Sequence, residues 1–387
     1  MSVKLLNDAL QGKAAFFIQF GGQGASWYKE FIKYKENPEM KLFYEAVFEG
    51  IDSGLEYIQN TPVLTYGFDL KKWFHEPDSL PDEEYLISAP LSLPMIQAAQ
   101  FAHYENFRLN GYDRDTFMEH SKGASGHSQG VISAGFAVYD IDKTEYYDFI
   151  KKYTQYLFLM GIRAQEIHPD NIATEIEKEK AASLELKNPA PMAALLGSEH
   201  KTVEAMVESY NENKDDNEKI FVSLYNTEKN RIVSGHRSSL LKFYEDYKDN
   251  LKENEIDFVF LRTTCPFHSA HMRPMIEKFQ NDMQNIGFEL YGSRLKKPLY
   301  SFVDGRNLQH DEKLAMVFCE ELMLKPLYWE KGLLPAIQDS SVTHILDFGP
   351  GKTSQRLSDD IFKSQQCEKP IYSAAVLKDQ KILFEPG

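Results

Sequence analysis

Gly123-Ala124-Ser125-Gly126-His127-Ser128-Gln129-Gly130 is the stretch on which the fold turns. It contains a G-x-S-x-G frame and runs directly into Val131 to Val138, a small-residue segment with helical patterning. A serine in that frame stands on a strained turn between a strand and a helix, and the flanking glycines let two backbones pass closely. The next N–H, that of Gln129, then lies at a helix N-terminus and points to where an oxyanion would develop. Five residues of this kind also arise by chance in glycine-rich turns, and the helix downstream is what favours the elbow.

Upstream, Ala14 to Phe20 is an apolar run of the kind buried on both faces of a parallel sheet. It enters Gly21-Gly22-Gln23-Gly24, a tight loop that brings backbone and one polar side chain close to a neighbour. Met95 to Leu109 reads as a helix, and Tyr85 to Tyr104 carries no charged residue. Pro90, Pro94, Gln97, Gln100 and His103 within that stretch favour a buried helix entered through a proline turn over a membrane span. Tyr146 to Ile167 is a long helix, and residues 169–190 are polar and read as a surface excursion.

A clear rhythm follows: strand Met192–Leu196, helix Lys201–Tyr210, strands Ile220–Tyr225 and Arg231–Ser234, helix Ser238–Asn250, strand Ile256–Leu261. That β-α-β-β-α-β order is the ferredoxin-like unit. Further strands are expected at Tyr300–Val303 and His344–Phe348, and helices at Leu314–Glu330 and Thr353–Phe362. The expected class is α/β. Residues 1–188 and 263–387 form an α/β-hydrolase-like core with a parallel sheet, and residues 189–262 form an inserted ferredoxin-like small subdomain.

Composition removes several functions. Lys plus Arg is 43 and Asp plus Glu is 58, a net charge of −15, so nucleic acid is a poor partner. Cys265, Cys319 and Cys367 are too few and too widely spaced for a disulfide scaffold or a zinc knuckle. No metal site is expected, because His268-x-x-His271 lacks a third ligand. The opening MSVKLLNDALQGK lacks the apolar core of a signal peptide, so a cytoplasmic protein without a membrane partner is expected. Residues 21–24 and 349–351 make no dinucleotide or phosphate-loop frame. Asp347-Phe348-Gly349 has the kinase triplet without the lysine and catalytic loop that accompany it.

A serine hydroxyl is a weak nucleophile until a base takes its proton, and eleven histidines compete for the role. His127 adjoins Ser128, so its side chain is expected to point away from the serine's face. His75, His103, His120, His168, His200, His236 and His310 lie in segments that read as exposed or simply packed. His268 stands in Thr264-Cys265-Pro266-Phe267-His268-Ser269, after a strand and before a helix, where α/β sites gather. His271 is the reserve.

Together the motifs resemble the acyl-CoA:acyl-carrier-protein transacylase superfamily. Phe20-Gly21-Gly22-Gln23-Gly24 resembles its GQG loop, Gly126–Gly130 its GHSxG elbow, and Cys265–Ser269 its histidine motif. Leu327-Tyr328-Trp329 resembles its P-V-x-W, and Phe348-Gly349-Pro350-Gly351 its closing GPG. Tyr85–Pro90, Leu157–Arg163, Ser223–Asn226 and Val233–Gly235 are most similar to the acetyltransferase domain of type I fatty acid synthases and to starter-unit transacylases of polyketide synthases.

The resemblance implies that Ser128 attacks an acyl-CoA thioester while His268 takes its proton. The phosphopantetheine thiol of an acyl carrier protein then accepts the acyl group, in ping-pong order. Gln23 and Gln129 would form the oxyanion hole, and a backbone carbonyl near the GPG loop would orient the histidine. Tyr153, Leu157, Phe267 and Asn226 are the expected acyl pocket. No bound cofactor is expected; acyl-CoA is the donor, and other domains of a fatty acid or polyketide synthase are expected neighbours.

Malonyl-specific relatives carry an arginine about 25 residues after the serine as a carboxylate clamp. That register falls here on Tyr153, and Arg163 is about 15 Å further along the helix. An unpaired carboxylate would cost several kcal/mol, so a short uncharged acyl group, acetyl first, is expected. The alternatives are a malonyl-CoA:carrier-protein transferase and an acyl-thioester hydrolase on the same pair. A non-catalytic scaffold has no reason to keep Ser128, His268 and Gln23 together. Lys296-Lys297 near Arg294, or Lys151-Lys152, would offer an acidic carrier protein a positive patch, against the plainer reading of solvated charges.

Overall fold

Apolar β1 (Phe16–Phe20), all five residues buried, is the centre of a parallel sheet in the computed structural model. The structure describes residues 3–24, 26–59, 61–170, 172–197 and 199–387; the His200 side chain lies outside the described residues. The other strands are β2 (Ser121–Gly126), β3 (Met192–Leu196), β4 (Phe221–Thr227), β5 (Asn230–Ser234) and β6 (Asp257–Phe260), then β7 (Leu299–Tyr300), β8 (Leu327–Tyr328), β9 (His344–Asp347) and β10 (Ile371–Ser373). The larger sheet runs β10-β9-β1-β2-β7 with every pair parallel. Burial on both faces is what a strand without polar alternation requires.

The second sheet runs β6-β3-β5-β4-β8. Its first four strands pair antiparallel in ferredoxin-like order, and β8 joins parallel to β4 at the edge. Alternation along the strands divides its faces. Ala193, Leu195 and Val233 pack with Val203, Leu240 and Phe243 of its two helices into a small core. Met192, Ala194, Leu224 and Ile232 face the other way and join the main core. The chain is thus α/β, with the parallel sheet and the βαββαβ unit expected.

The uncharged stretch forms a helix, Ala89–Leu109, buried from Ala89 to Phe107. Pro90 lies in its first turn, where a missing N–H costs nothing. Among the described residues, no helix is long and apolar enough to cross a membrane. Tyr146–Ile167 is helical as expected and packs along Ala89–Leu109.

Two expectations are corrected. Residues 169–190 contain a helix, Glu175–Ser183, opened by a capping box in which Thr174 and Glu177 exchange hydrogen bonds; the T-x-x-E spacing was its signal. Leu314–Glu330 is not one helix. It stops at Met323, forms β8 after Pro326, and restarts as Trp329–Gln338, because proline disfavours a helical predecessor and donates no N–H.

Where the large and small sheets meet, three imidazoles converge. His168 follows the helix Tyr146–Ile167, His236 precedes Arg237–Glu253, and His271 lies in the short 3-10 helix Ala270–Met275. Their ring centroids are 5.1, 4.8 and 6.5 Å apart, and His271 Nε2 donates to the Lys219 carbonyl at 2.8 Å. Burial, then the neighbouring imidazoles and Arg237, lower the His168 pKa to about 3 and that of His236 in the same direction, while Glu177 opposes the shift at His236. Unfolded, both would titrate near 6.5. The unfolded chain therefore binds more protons below that pH, and stability falls as pH drops. The thermal midpoint should hold above about pH 6.5 and decline towards pH 5. His236→Gln should flatten the decline; a midpoint that rises on acidification would contradict this.

Candidate active site

β2 delivers the elbow. His127 N–H donates to the Phe20 carbonyl at 2.9 Å, and the Gly130 N–H returns to the His127 carbonyl at 2.9 Å. A Cβ on Gly126 would collide with the Gly130 backbone, and one on Gly130 with the carbonyl oxygens of Phe20 and Gly21. Both ends of the frame must therefore be glycine for the turn to lie against β1. Ser128 between them has φ 54°, a left-handed conformation that costs a non-glycine residue about 1–3 kcal/mol and persists only where its surroundings enforce it.

His268 arrives from 140 residues away in sequence, and its Nε2 lies 2.8 Å from Ser128 Oγ. Its own φ is 56°. Backbone bonds to Leu322 and Met323 carbonyls, at 3.3 and 3.0 Å, fix His268 and Ser269 in place. Nδ1 is 2.8 Å from the Lys325 carbonyl oxygen, which only accepts. The proton therefore sits on Nδ1, leaving Nε2 free to accept from the serine hydroxyl. The expected carbonyl near the GPG loop is corrected: the orienting oxygen belongs to Lys325, just before β8.

Ser128 is 8% exposed and His268 3%. Burial lowers the His268 pKa to about 4, with the Lys325 carbonyl opposing and His127 adding to the shift. The imidazole is neutral, in the form that accepts a proton.

The Gln129 and Gln23 N–H groups have no acceptor among the described residues. The Gln129 side chain turns away and donates to the Leu93 carbonyl at 3.1 Å. The Gln23 side chain donates to Ser92 Oγ at 3.2 Å. A Cβ on Gly22 would lie 2.8 Å from His127 Nδ1 and 3.2 Å from Ser128 Cβ, so the loop backbone lies directly over the elbow.

Ser128, His268 and Gln23 open into a cleft of about 360 Å³ whose far wall is the small sheet, through Met192, Ala194, Leu224 and Ile232. Phe267 and Asn226, two of the four residues expected at an acyl pocket, line it. Tyr153 and Leu157 do not. Both are fully buried, and the Tyr153 ring is held 5.3 Å from Phe136 and 5.5 Å from Phe288, so the helix turns that face into the core. His127 is also corrected: it lines the cleft, with Nε2 donating to Asn226 Oδ1 at 2.7 Å and its ring 5.4 Å from Trp329. Burial lowers its pKa to about 4.

Arg163 is committed elsewhere, with bonds of 2.7 and 2.8 Å to Asp282 and one of 2.8 Å to Glu166. Arg262, absent from the sequence-based expectations, lines the cleft and pairs with Glu83. Lys296 pairs with Asp140 at 3.0 Å and Lys151 with Glu49 at 3.2 Å. Lys297 donates to the Glu119 carbonyl, Arg294 to that of Asp140, and Lys152 lies over the Phe149 ring.

The model of a family described as starter unit:ACP transacylase in aflatoxin biosynthesis matches residues 18–268. A fatty acid synthase beta subunit of Cochliobolus carbonum is 28% identical over 377 residues, covering 90% of this chain and 18% of that protein. The fatty acid synthase subunit beta of Schizosaccharomyces pombe is 28% identical over 355 residues, 87% of this chain and 17% of that one. The chain spans less than a fifth of the curated relatives it matches. Among solved structures, a malonyl-CoA:acyl carrier protein transacylase of Xanthomonas oryzae pv. oryzae superposes with a TM-score of 0.68 at 18% identity, over 95% of this chain and 96% of that one. That likeness is one of fold.

A neutral imidazole at neutral pH predicts a flat reactivity profile. Labelling of Ser128 by a fluorophosphonate should stay constant from pH 8 to about 5.5 and be lost as pH falls towards about 4, where His268 gains its proton. A fall centred near 6.5 would mean that the imidazole charges as freely here as in water.

Proposed function

The chain belongs to the starter unit:ACP transacylase family, and from that membership we propose that it carries a short uncharged acyl group, acetyl first, from acyl-CoA to the phosphopantetheine thiol of an acyl carrier protein. The observation that carries the reading is the 2.8 Å contact between Ser128 Oγ and His268 Nε2 inside the cleft. In this reading Ser128 is the nucleophile. As its oxygen attacks the thioester carbonyl, the proton passes to Nε2, and the imidazolium is stabilised by the Nδ1–H bond to Lys325. The N–H groups of Gln129 and Gln23 receive the developing oxyanion. Collapse breaks the C–S bond, the CoA sulfur takes the proton from His268, and an acyl-serine remains. The carrier thiol then gives its proton to His268 and attacks the ester; its C–O bond breaks, and His268 returns the proton to Ser128 Oγ.

An uncharged acyl group is supported by the wall it would meet. The wall is apolar at Met192, Ala194, Leu224 and Phe267, and the Arg262 that also lines the cleft is paired with Glu83; an anion buried without a partner costs several kcal/mol. The division at 1–188, 189–262 and 263–387 belongs to the same reading, with the core supplying the serine and the small subdomain the wall. The neighbouring domains of a fatty acid or polyketide synthase would present the carrier protein.

Intact-mass spectrometry after mixing with acetyl-CoA, malonyl-CoA and longer acyl-CoAs tests this. An acetyl adduct should form, vanish in Ser128→Ala, and be at least about tenfold slower from malonyl-CoA, the discrimination that an unpaired carboxylate imposes. Equal or faster malonyl loading would make this a malonyl-CoA:carrier-protein transferase. Free CoA accumulating with no adduct would make it a thioester hydrolase.

A further inference from the structure

The cleft over Ser128 has a second lobe. About 220 Å³ opens between the Gln23 loop, the helix Trp27–Phe31 and residues 80–87, lined by Trp27, Leu80, Pro81 and Ile87. The two lobes share Gln23, Gly24 and Arg262. Arg262 therefore stands on the lining of both lobes.

Among the described residues, Arg262 is also the single lysine or arginine lining the Ser128 lobe. The second lobe adds Lys29, exposed, and Glu83. Arg262 lies beyond the end of β6 and six positions before His268, on the segment that links the small sheet to the dyad. Its side chain is 48% exposed, and that of its partner Glu83 is 68% exposed. A pair so open to water is weak and exchanges readily.

The rest of the chain makes that cation conspicuous. With a net charge of −15, the mean field of the protein opposes an anionic substrate, and a local cation is what offsets it. Every substrate of the proposed reaction is anionic at the same place, since CoA and a carrier-bound arm both carry a phosphate where the pantetheine ends. Arginine is suited to it, because its planar fork binds two phosphate oxygens at once.

Resting on the transferase reading above, we propose that Arg262 is the phosphate contact of this site, exchanging Glu83 for the pantetheine phosphate as a donor or acceptor arm enters. Arg262 lines the same cleft as Ser128 and the lobe beside it, so an arm whose sulfur lies at Ser128 has this cation on its wall. A half-exposed guanidinium fits a phosphate at the mouth better than an acyl carboxylate, which would lie beside the buried dyad. Glu83 is then the competitor that keeps Arg262 extended when the cleft is empty.

Acetyl-phosphopantetheine and acetyl-pantetheine, which differ only in the phosphate, separate these roles. Wild-type protein should load acetyl from the phosphorylated donor with a KM about tenfold lower, as a charge-assisted bidentate contact provides. In Arg262→Gln the two KM values should come within about twofold of each other, with the split in KM and not in kcat. Glu83→Gln, which frees the guanidinium, should widen the wild-type difference and serves if the arginine variant does not fold. An undiminished phosphate preference in Arg262→Gln would overturn the proposal. So would a loss confined to malonyl-CoA, which would make Arg262 a carboxylate contact. If neither donor acylates Ser128, the transferase reading fails first, and calorimetry with phosphopantetheine and pantetheine decides Arg262 by itself. A phosphate-dependent affinity that vanishes in Arg262→Gln supports the contact, and equal affinities overturn it.

Discussion

A fully buried carboxylate, that of Asp347, holds the rim of the large sheet together. One oxygen accepts from Gln19 Nε2 at 2.8 Å and Ser354 Oγ at 2.6 Å; the other accepts from Gly349 N–H at 3.0 Å and Ser373 Oγ at 2.8 Å. Those donors come from β1, the loop after β9, the helix Thr353–Ser364 and β10. Burial raises the pKa of Asp347 and the four bonds lower it. Desolvating the charge offsets much of what the bonds contribute, so the network sets geometry more than it adds stability. Its geometric output is the loop after β1. Gly21 N–H bonds the Gly349 carbonyl at 2.8 Å, and Gln100, itself held by Ser133, donates to the carbonyls of both glycines. With Gly21 fixed, Gly22 lies against the elbow, and the Gln23 side chain is held apart from it by Ser92.

The same burial shapes the dyad. Among the described residues no carboxylate bonds His268; a neutral carbonyl orients it, and the low dielectric keeps it uncharged. A base with a pKa of about 4 has little thermodynamic pull on a serine proton. For a thioester that weakness is tolerable, because a thiol is far more acidic than an amine or an alcohol and leaves as the thiolate with little assistance. Scission of an amide, whose amine must be protonated, would ask more of the imidazole. The missing acid is therefore consistent with thioester chemistry.

How far the amino-acid sequence discloses this depends on whether a feature is written in side chains. The elbow was legible because glycine is compulsory at Gly126 and Gly130, and the βαββαβ order because its strands and helices alternate in pattern. The Ser128–His268 pair was legible through motif. Lys325 was not, since a carbonyl oxygen is present on every residue and carries no signature. Tyr153 shows a different limit. Counting residues locates a side chain along a helix, but each residue turns the direction by about 100°, and neighbours decide which face is buried. Here Phe101, Phe136 and Phe288 claim that face. Arg262 was illegible because a lone cation between Leu261 and Thr263 looks like any surface charge until the lobes meet at it.

The division of labour between the sheets has a consequence for specificity. Ser128 and the Gln129 N–H are fixed by the parallel sheet and its rim network, whereas the opposing wall is one face of the antiparallel sheet. On β3 that wall is Met192, Ala194 and Leu196, alternate residues, while Ala193 and Leu195 between them belong to the small unit's own core. A substitution at Ala194 would change the depth of the cleft without touching the second core, and one at Ala193 the reverse. A one-residue slip in β3 would exchange the two sets, and the antiparallel pairing with β5 and β6 on both sides prevents it. The wall can therefore vary in volume while Ser128, His268 and the Gln129 N–H stay where they are, and on the proposed reading acyl choice and acyl chemistry become separable properties of one cleft.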